Sequence, residues 1–245
     1  MAKEYPIQNV SFRGETDNFL TEAGGGSDLP KWVNDTAISV NAERVYDQLE
    51  LFSELFSDAN RTMPVLTEIT LNKKATAKSH RPAVRKMMDV NSKRNVLGVT
   101  SVGKILVKID TANDLKKMER GFKVVNTANL PKDKKIGLSA IENISRYKAV
   151  VDDSIQENDR LKLQLVDYLN SEYNHRSRIA LSIKCKEFGV ELEELNYASS
   201  LRLFSLEHVS EEALQAIASM DCVLAVRKMP TIEFETAPDE DNSSI

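Results

Sequence analysis

The stretch Pro64-Val-Leu-Thr-Glu-Ile-Thr-Leu71 alternates apolar and polar residues and is rich in β-branched side chains. Such a pattern is typical of a half-buried β-strand. Downstream of it, the sequence predicts a short helix over 80–89, two strands joined by a turn over 95–110, and a helix over 111–120. Residues 122–125 are a candidate for the strand that closes this run.

The second half of the chain repeats this order of elements. Apolar spacing predicts a strand over 161–169, a helix over 171–188 and a strand over 196–206, followed by a helix over 210–220 and a strand over 222–226. A strand-helix-strand-helix-strand order with short connections is typical of helices packed on one face of an antiparallel sheet. The predicted fold is therefore α+β, with two small α/β-sandwich modules of the ferredoxin-like or propeptide-like kind.

An N-terminal extended segment and an amphipathic helix precede these modules. Val45, Leu49, Phe52 and Phe56 recur at helical spacing and predict a core-facing helix over 36–59. The expected organisation of the 245 residues is an N-terminal segment with its helix (1–60), a basic α+β module with a helical connector over 136–148 (61–150), a propeptide-like α+β module (151–230) and an acidic flexible tail (231–245).

Charge is distributed unevenly along the chain. The formal net charge is only −4, but residues 61–135 hold 18 Lys and Arg against 6 Asp and Glu. Residues 231–245 hold five acidic residues and no basic one. A solvated basic face with an acidic end explains this asymmetry, and so does a surface that docks a partner.

Residue usage argues against several classes of protein. Two cysteines, Cys185 and Cys222, cannot form a disulfide framework, and they fit a reducing cytoplasm. No apolar run is long enough to span a membrane. His80, His175 and His208 lack metal-ligand spacing, and no Gly-x-Ser-x-Gly turn is present. We therefore expect a cytoplasmic non-enzyme with no metal and no cofactor.

The strongest physical signal is a cluster of cations that we predict to be a partner-docking patch. Clustered cations bind phosphates or acidic proteins. No aromatic residue lies between Phe56 and Phe122 to stack on bases, so nucleic acid is the less favoured partner. The predicted patch consists of Lys73, Lys74, Lys78, His80, Arg81, Arg85 and Lys86.

One short string resembles a known family: Ala77-Lys-Ser-His-Arg-Pro82. It follows the predicted strand at 65–71 and precedes Asn95-Val-Leu-Gly98 and Gly103-Lys-Ile-Leu-Val107. It is similar to the N-terminal region of bacterial intracellular subtilisin-like serine proteases of the S8 family. Some of these are encoded beside an AAA-type ATPase, and such pairs include anti-phage defence systems. The glycine stretch at 24–27, Pro30, the 36–59 helix and residues 138–144 fit the same pattern, so the resemblance covers about 20–230.

The resemblance implies that the chain acts on a protease and is not itself a protease. The Asp, His and Ser motifs of a subtilase domain are missing: His80 is followed by Arg-Pro, and Gly98-Val-Thr-Ser101 is not a nucleophile turn. The segment ahead of a subtilase domain is commonly a propeptide, which assists folding and leaves its C-terminal end in the substrate cleft. By this resemblance the cleft-binding residues are Met229, Pro230, Thr231, Ile232, Glu233 and Phe234.

Three functions follow from these patterns. The first is a propeptide-like inhibitor and intramolecular chaperone of a subtilisin-like protease, acting in cis or in trans, with an AAA ATPase as a further partner. The second is a binding or sensor module that recruits an ATPase, a phage component or nucleic acid through the basic segment. The third is an enzyme with an unrecognised site.

Overall fold

A computed structural model of the chain describes residues 29–57, 61–75, 81–100, 102–123, 126–156, 159–195 and 201–230. The chain divides into two compact units. The first unit holds residues 1–147 and 167–177, and the second holds residues 148–166 and 178–245. Among the residues that the structure describes, none of the helices combines the length and apolar character needed to cross a membrane.

The first unit is a four-stranded sheet with helices. In chain order its elements are α1 (Asp35–Leu51), β1 (Val65–Leu71), α2 (Arg81–Met88), β2 (Val96–Val99), β3 (Ile105–Ile109), α3 (Ala112–Phe122), α4 (Lys132–Ala140) and β4 (Ile141–Arg146). The strands lie in the order β2-β3-β1-β4, and every neighbouring pair is antiparallel. Short 3₁₀ turns follow α1 at Phe52–Phe56 and β1 at Lys73–Ala75.

Local sequence explains why these elements begin where they do. The Asn34 side chain accepts a hydrogen bond from the backbone of Ala37 and so caps α1, and Thr111 does the same for α3 through the backbone of Asp114. The apolar face of the sheet packs against the helices. The core includes Ile38, Val45, Leu49, Val65, Ile69, Val107, Ile109, Leu115, Met118, Phe122, Leu138 and Ile144.

The second unit contains a five-stranded sheet with two crossover helices. Its elements are β5 (Val150–Val151), β6 (Leu161–Leu165), α5 (Ser171–Glu187), β7 (Glu191–Leu195), β8 (Leu203–Glu207), α6 (Glu211–Ala218) and β9 (Val223–Lys228). The first seven residues of α5, 171–177, belong to the first unit. The strand order is β5-β9-β6-β8-β7. Only the short β5 runs parallel to its neighbour. Buried side chains of this unit include Leu161, Leu163, Leu165, Leu181, Phe204, Leu206, Ile217 and Val226.

Both units have the same topology. Apart from α1 and α4 in the first unit and β5 in the second, each follows the order strand-helix-strand-strand-helix-strand, and in each such run of four strands the first lies between the third and the fourth. This is the split βαβ arrangement of ferredoxin-like folds. The predicted α+β fold with two small sandwich modules is therefore confirmed.

Several predicted elements differ from the structure. Residues 136–148 are not a helical connector: α4 ends at Ala140, and Ile141–Arg146 is the strand β4, paired with β1. That strand closes the first sheet, and Phe122, proposed to begin the closing strand, ends α3. In the second half, β7 at Glu191–Leu195 was not predicted, because its two leucines are three residues apart and its sequence lacks the period-two alternation typical of a strand. The strand predicted over 196–206 is β8 at Leu203–Glu207, and residues 196–200 lie outside the described part.

Candidate functional site

The strand β9 leads directly into the segment predicted to bind a protease cleft. Its hydrogen-bonded register with β6 runs to the pair Leu161 and Lys228. The ladder continues one residue further, because the N–H of Met229 donates to the carbonyl of Arg160 at 2.9 Å. Pro230 is exposed and has no N–H to donate. Met229 is therefore held by the sheet, whereas Thr231, Ile232, Glu233 and Phe234 lie outside the described residues.

The side of the second sheet that carries Met229 is called the open face here. Strand register places Val150, Ala225, Gln164, Leu203 and Leu195 in one row across all five strands. Four of these five side chains are apolar. Val150 is 44% exposed, and Leu195, Leu203 and Gln164 are half-buried, so the row is accessible on four of the five strands. An accessible apolar row of this kind is a feature of protein-binding surfaces.

The next rows of the open face are charged and polar. Glu193, Ser205, Lys162 and Arg227 share one row, and Glu191 stands opposite Glu207 in the row beyond. A sheet face with an apolar row and charged rows beside it resembles the core and rim of a protein interface. This arrangement is suited to docking a folded partner, and the sequence alone did not indicate it.

Arg160 organises the charged end of the open face. Its Nε lies 2.8 Å from both the Ser205 hydroxyl and the Glu207 carboxylate, and an Nη contacts Glu193 at 3.0 Å. The Sδ of Met229 lies 3.8 Å from the same Ser205 hydroxyl. Arg160 therefore contacts β7 and β8 through its side chain and Met229 through its carbonyl, which orders the base of the segment that follows β9.

Asp159, beside Arg160, anchors the end of β9. Its carboxylate accepts a hydrogen bond from Lys228 at 2.8 Å. The Lys228 hydrogen bond, helped by the backbone N–H of Gln156, holds the pKa of the Asp159 carboxyl below its ordinary value. The Asp159 carboxyl thus stays ionised at neutral pH, and its contact with Lys228 anchors β9 one residue before Met229.

The two cysteines lack the features of catalytic thiols. Both are buried and free. Burial raises the pKa of Cys185 to about 11 and, with Asp221 nearby, that of Cys222 to about 12. Because the thiolate is the reactive form, neither side chain is a ready nucleophile at neutral pH.

One histidine lies closer to acidic groups than its sequence spacing indicated. His208 and the carboxylates of Glu191 and Glu207 offer ligand atoms within 4.8 Å of one another, because strand pairing brings β7 beside the end of β8. Glu191 and His208 are exposed, and Glu207 already pairs with Arg160. We assign no metal to this group.

The predicted basic patch is only partly within the described residues. Lys78 and His80 lie outside them. Lys73 and Lys74 form the 3₁₀ turn after β1, and Arg81, Arg85 and Lys86 lie on α2. Arg85 pairs with Asp89 at 2.9 Å, and Lys86 pairs with Asp133 at 3.1 Å. The α2 cations share a shallow pocket lined by Arg81, Pro82, Arg85, Lys86 and Asp89.

A buried ionic network in the first unit was not predicted. Asp114, in the first turn of α3, is 1% exposed and accepts hydrogen bonds from the Thr111 hydroxyl, from Asn91 and from Lys93. Burial alone raises the pKa of Asp114, but these donors and the charge of Lys93 outweigh it and hold the pKa below its ordinary value. The carboxylate therefore stays ionised in the folded state.

Asp114 makes the stability of the first unit depend on pH. Its folded pKa is lowered, so its contribution is fully present above the unfolded pKa of about 4 and is lost as the pH falls through the folded value. We expect Asp114→Asn to reduce the free energy of unfolding at pH 7 more than at pH 3, as measured by urea unfolding. The exposed Glu43→Gln is the control. An equal effect of Asp114→Asn at both pH values would contradict the assignment.

Comparisons of the chain with protein-family models, curated proteins and solved structures found no match.

Proposed function

We propose that the chain is a non-catalytic, propeptide-like inhibitor and folding chaperone of a subtilisin-like serine protease. One observation carries the proposal: a complete ferredoxin-like unit ends in β9, and its ladder extends to Met229, directly before the segment 230–234. The resemblance around Ala77–Pro82 supports the same family of partner.

In this proposal the second unit supplies two contacts. The open face docks on the protease with its apolar row of Val150, Ala225, Leu203 and Leu195. Residues 229–234 then lie in the substrate cleft as an added strand, with alternate side chains in the specificity pockets. Inhibition follows because the segment binds like a product and is released slowly.

A folded unit is well suited to this task. Ordering a peptide on binding costs conformational entropy, and anchoring its base beforehand reduces that cost. Here Met229 is fixed by the Arg160 carbonyl, and Arg160 is itself held by Ser205 and Glu207. The same docking surface would support folding of the protease, since a ligand that binds only the native state stabilises it.

The proposal includes a cytoplasmic setting and an AAA ATPase as a further partner, within an anti-phage defence system. The free cysteines Cys185 and Cys222 are compatible with a reducing compartment. The ATPase and the defence setting rest on the resemblance alone.

Inhibition of peptide hydrolysis tests the proposal. We expect the full chain to inhibit a purified subtilisin-like protease from the same genome at 1:1 stoichiometry. A variant ending at Lys228 keeps β9 but lacks the cleft segment, and we expect its inhibition constant to rise by about 100-fold or more, since anchor residues dominate interface energy.

A matched variant distinguishes docking of the open face on the protease from insertion of residues 229–234 into the substrate cleft. Leu203→Glu places a charge in the apolar row and leaves the segment 229–234 intact. We expect it to weaken binding of the protease without changing the far-ultraviolet circular dichroism spectrum. Unchanged protease activity at saturating full chain would rule out the inhibitor function.

A further inference from the structure

The first unit carries a surface that the proposed inhibitor function does not use. The 3₁₀ turn at Lys73–Ala75, α2 and α4 together contain eight Lys and Arg but only one acidic residue, Asp133. The sequence separates α4 from the other two by more than forty residues, so only the fold brings these cations together.

Packing of α2 on α4 brings two of these elements side by side. A Cβ added at Gly137 would meet the backbone oxygen of Ala83 at 3.2 Å, so the two helices lie close together there. Towards the start of α4, the ammonium group of Lys86 lies 3.1 Å from Asp133. Because Ala83 is early in α2 and Gly137 is in the second half of α4, the two helices are antiparallel. Arg81 therefore lies towards the end of α4.

The basic 3₁₀ turn lies at that same end. The N–H of Asn72 donates to the carbonyl of Ala140, the last residue of α4, at 2.8 Å. The exposed cations therefore follow one another along a line from this turn, over α2, to the start of α4. We define the basic strip as Lys73, Lys74, Arg81, Arg85, Lys86 and Lys132.

Local pairing accounts for two of the three cations of α2. Arg85 and Lys86 lie in the last turn, where cations are favoured, and each has a carboxylate partner. In the part of the chain that the structure describes, Arg81 forms no ion pair, and α2 contains no acidic residue.

We propose that the basic strip binds a short acidic segment of a partner protein. The strip is bounded by the length of α4, whose nine residues span about 14 Å. An extended peptide advances about 3.3 Å per residue, so about five residues cover it. The three elements contain no aromatic side chain for base stacking, and the pocket beside Arg81 includes the apolar Pro82, which favours a peptide over single-stranded nucleic acid.

Fluorescence anisotropy with the full chain tests this proposal. The probe is a fluorescein-labelled peptide of about six Asp and Glu residues, and its Asn/Gln counterpart is the uncharged control. We expect saturable 1:1 binding of the acidic peptide at low salt, weakened by added salt, and no binding of the uncharged one. Equal binding of both peptides, or no binding at low salt, overturns the proposal.

Two charge-neutralised variants locate the site. Arg81→Gln/Arg85→Gln removes two cations spaced by four residues on α2, and Lys116→Gln/Arg120→Gln removes a matched pair on α3. We expect the α2 variant to bind the acidic peptide about tenfold more weakly and the α3 variant to bind it as the native chain does. Equal weakening by both variants would mean unspecific attraction and would overturn the assignment.

Two further measurements, competition by DNA and inhibition of the protease, distinguish a peptide-binding strip from a nucleic-acid surface and from the inhibitor function. If a short duplex DNA competes off the acidic peptide and binds more tightly, the strip is a nucleic-acid surface and the proposal is wrong. Protease inhibition by the α2 variant is expected to be unchanged, because the strip is independent of residues 229–234 and of the open face. If the chain does not inhibit the protease, the peptide-binding proposal is unaffected. If the strip does not bind the acidic peptide, the inhibitor function is unaffected.

Discussion

Replacing Leu163 by alanine is expected to destabilise the second unit by about 2–5 kcal/mol. Leu163 lies on the central strand β6, is 0% exposed, and stands in register between Phe204 of β8 and Val226 of β9. Removing its branched side chain leaves a cavity that the flanking strands cannot close, because both are fixed by backbone pairing. Against a typical domain stability of about 5–15 kcal/mol, this loss is large.

Hydrogen exchange read by mass spectrometry measures the effect in the unit concerned. Amides of β6 and β8 should lose protection in Leu163→Ala, whereas those of β1 and β3 should keep it. Leu203→Ala is the matched control, because it removes the same side chain from the neighbouring strand at a half-buried position. A similar loss of protection in both variants would show that Leu163 is not a core residue.

Replacing Asp110 by alanine is expected to cost the first unit about 3–5 kcal/mol. Asp110 and Lys108 are 5% and 6% exposed, and the ammonium group lies 2.9 Å from one carboxylate oxygen and 3.0 Å from the other. The ring of Tyr173 lies 5.4 Å from the same ammonium group. Without the carboxylate, Lys108 is a buried charge whose desolvation is no longer compensated.

A double variant identifies the cause. Lys108→Met/Asp110→Leu replaces both charged side chains by apolar ones of similar shape, and replacements of buried ion pairs by apolar residues are often neutral or stabilising. We therefore expect the double variant to unfold at a higher urea concentration than Asp110→Ala. If the double variant is as unstable as Asp110→Ala, the loss stems from packing at this position rather than from the unpaired charge.

The two units share a topology but differ in the face of the sheet that the helices leave free. In the first unit, Leu66 and Lys108 stand in register on that face and are 0% and 5% exposed. In the second unit the corresponding face keeps Val150 at 44% exposure. Burial rather than topology thus distinguishes these faces of the two sheets, since the described face of the second sheet keeps an accessible apolar side chain.

Much of the fold could be predicted because it is encoded locally. Alternation over 64–71 placed a strand correctly, and the helices predicted over 111–120 and 210–220 begin directly after Thr111 and Ser210, whose side chains cap them. The prediction failed at 141–146, where Ile141 and Ile144 also fit helical spacing and only pairing with β1 makes the segment a strand. It failed again at β7, whose glutamates are tolerated because β8 supplies the backbone partners.

The candidate sites divide in the same way. The sequence indicated the clustered cations and the end of β9, since both consist of neighbouring residues. It did not indicate the Lys108–Asp110 pair in its buried setting, the row from Val150 to Leu195, or the addition of Lys132 to the basic strip.

The amino-acid sequence by itself therefore determined most of the helices and strands and the charge of each segment, because periodicity, capping and composition act over a few residues. The tertiary structure alone decided the strand order, the register and the burial of each sheet face. These depend on contacts between residues far apart in the chain, such as Val150 with Ala225 and Asn72 with Ala140. No local pattern specifies such pairings, since they form only when the packing of the whole sheet selects one register.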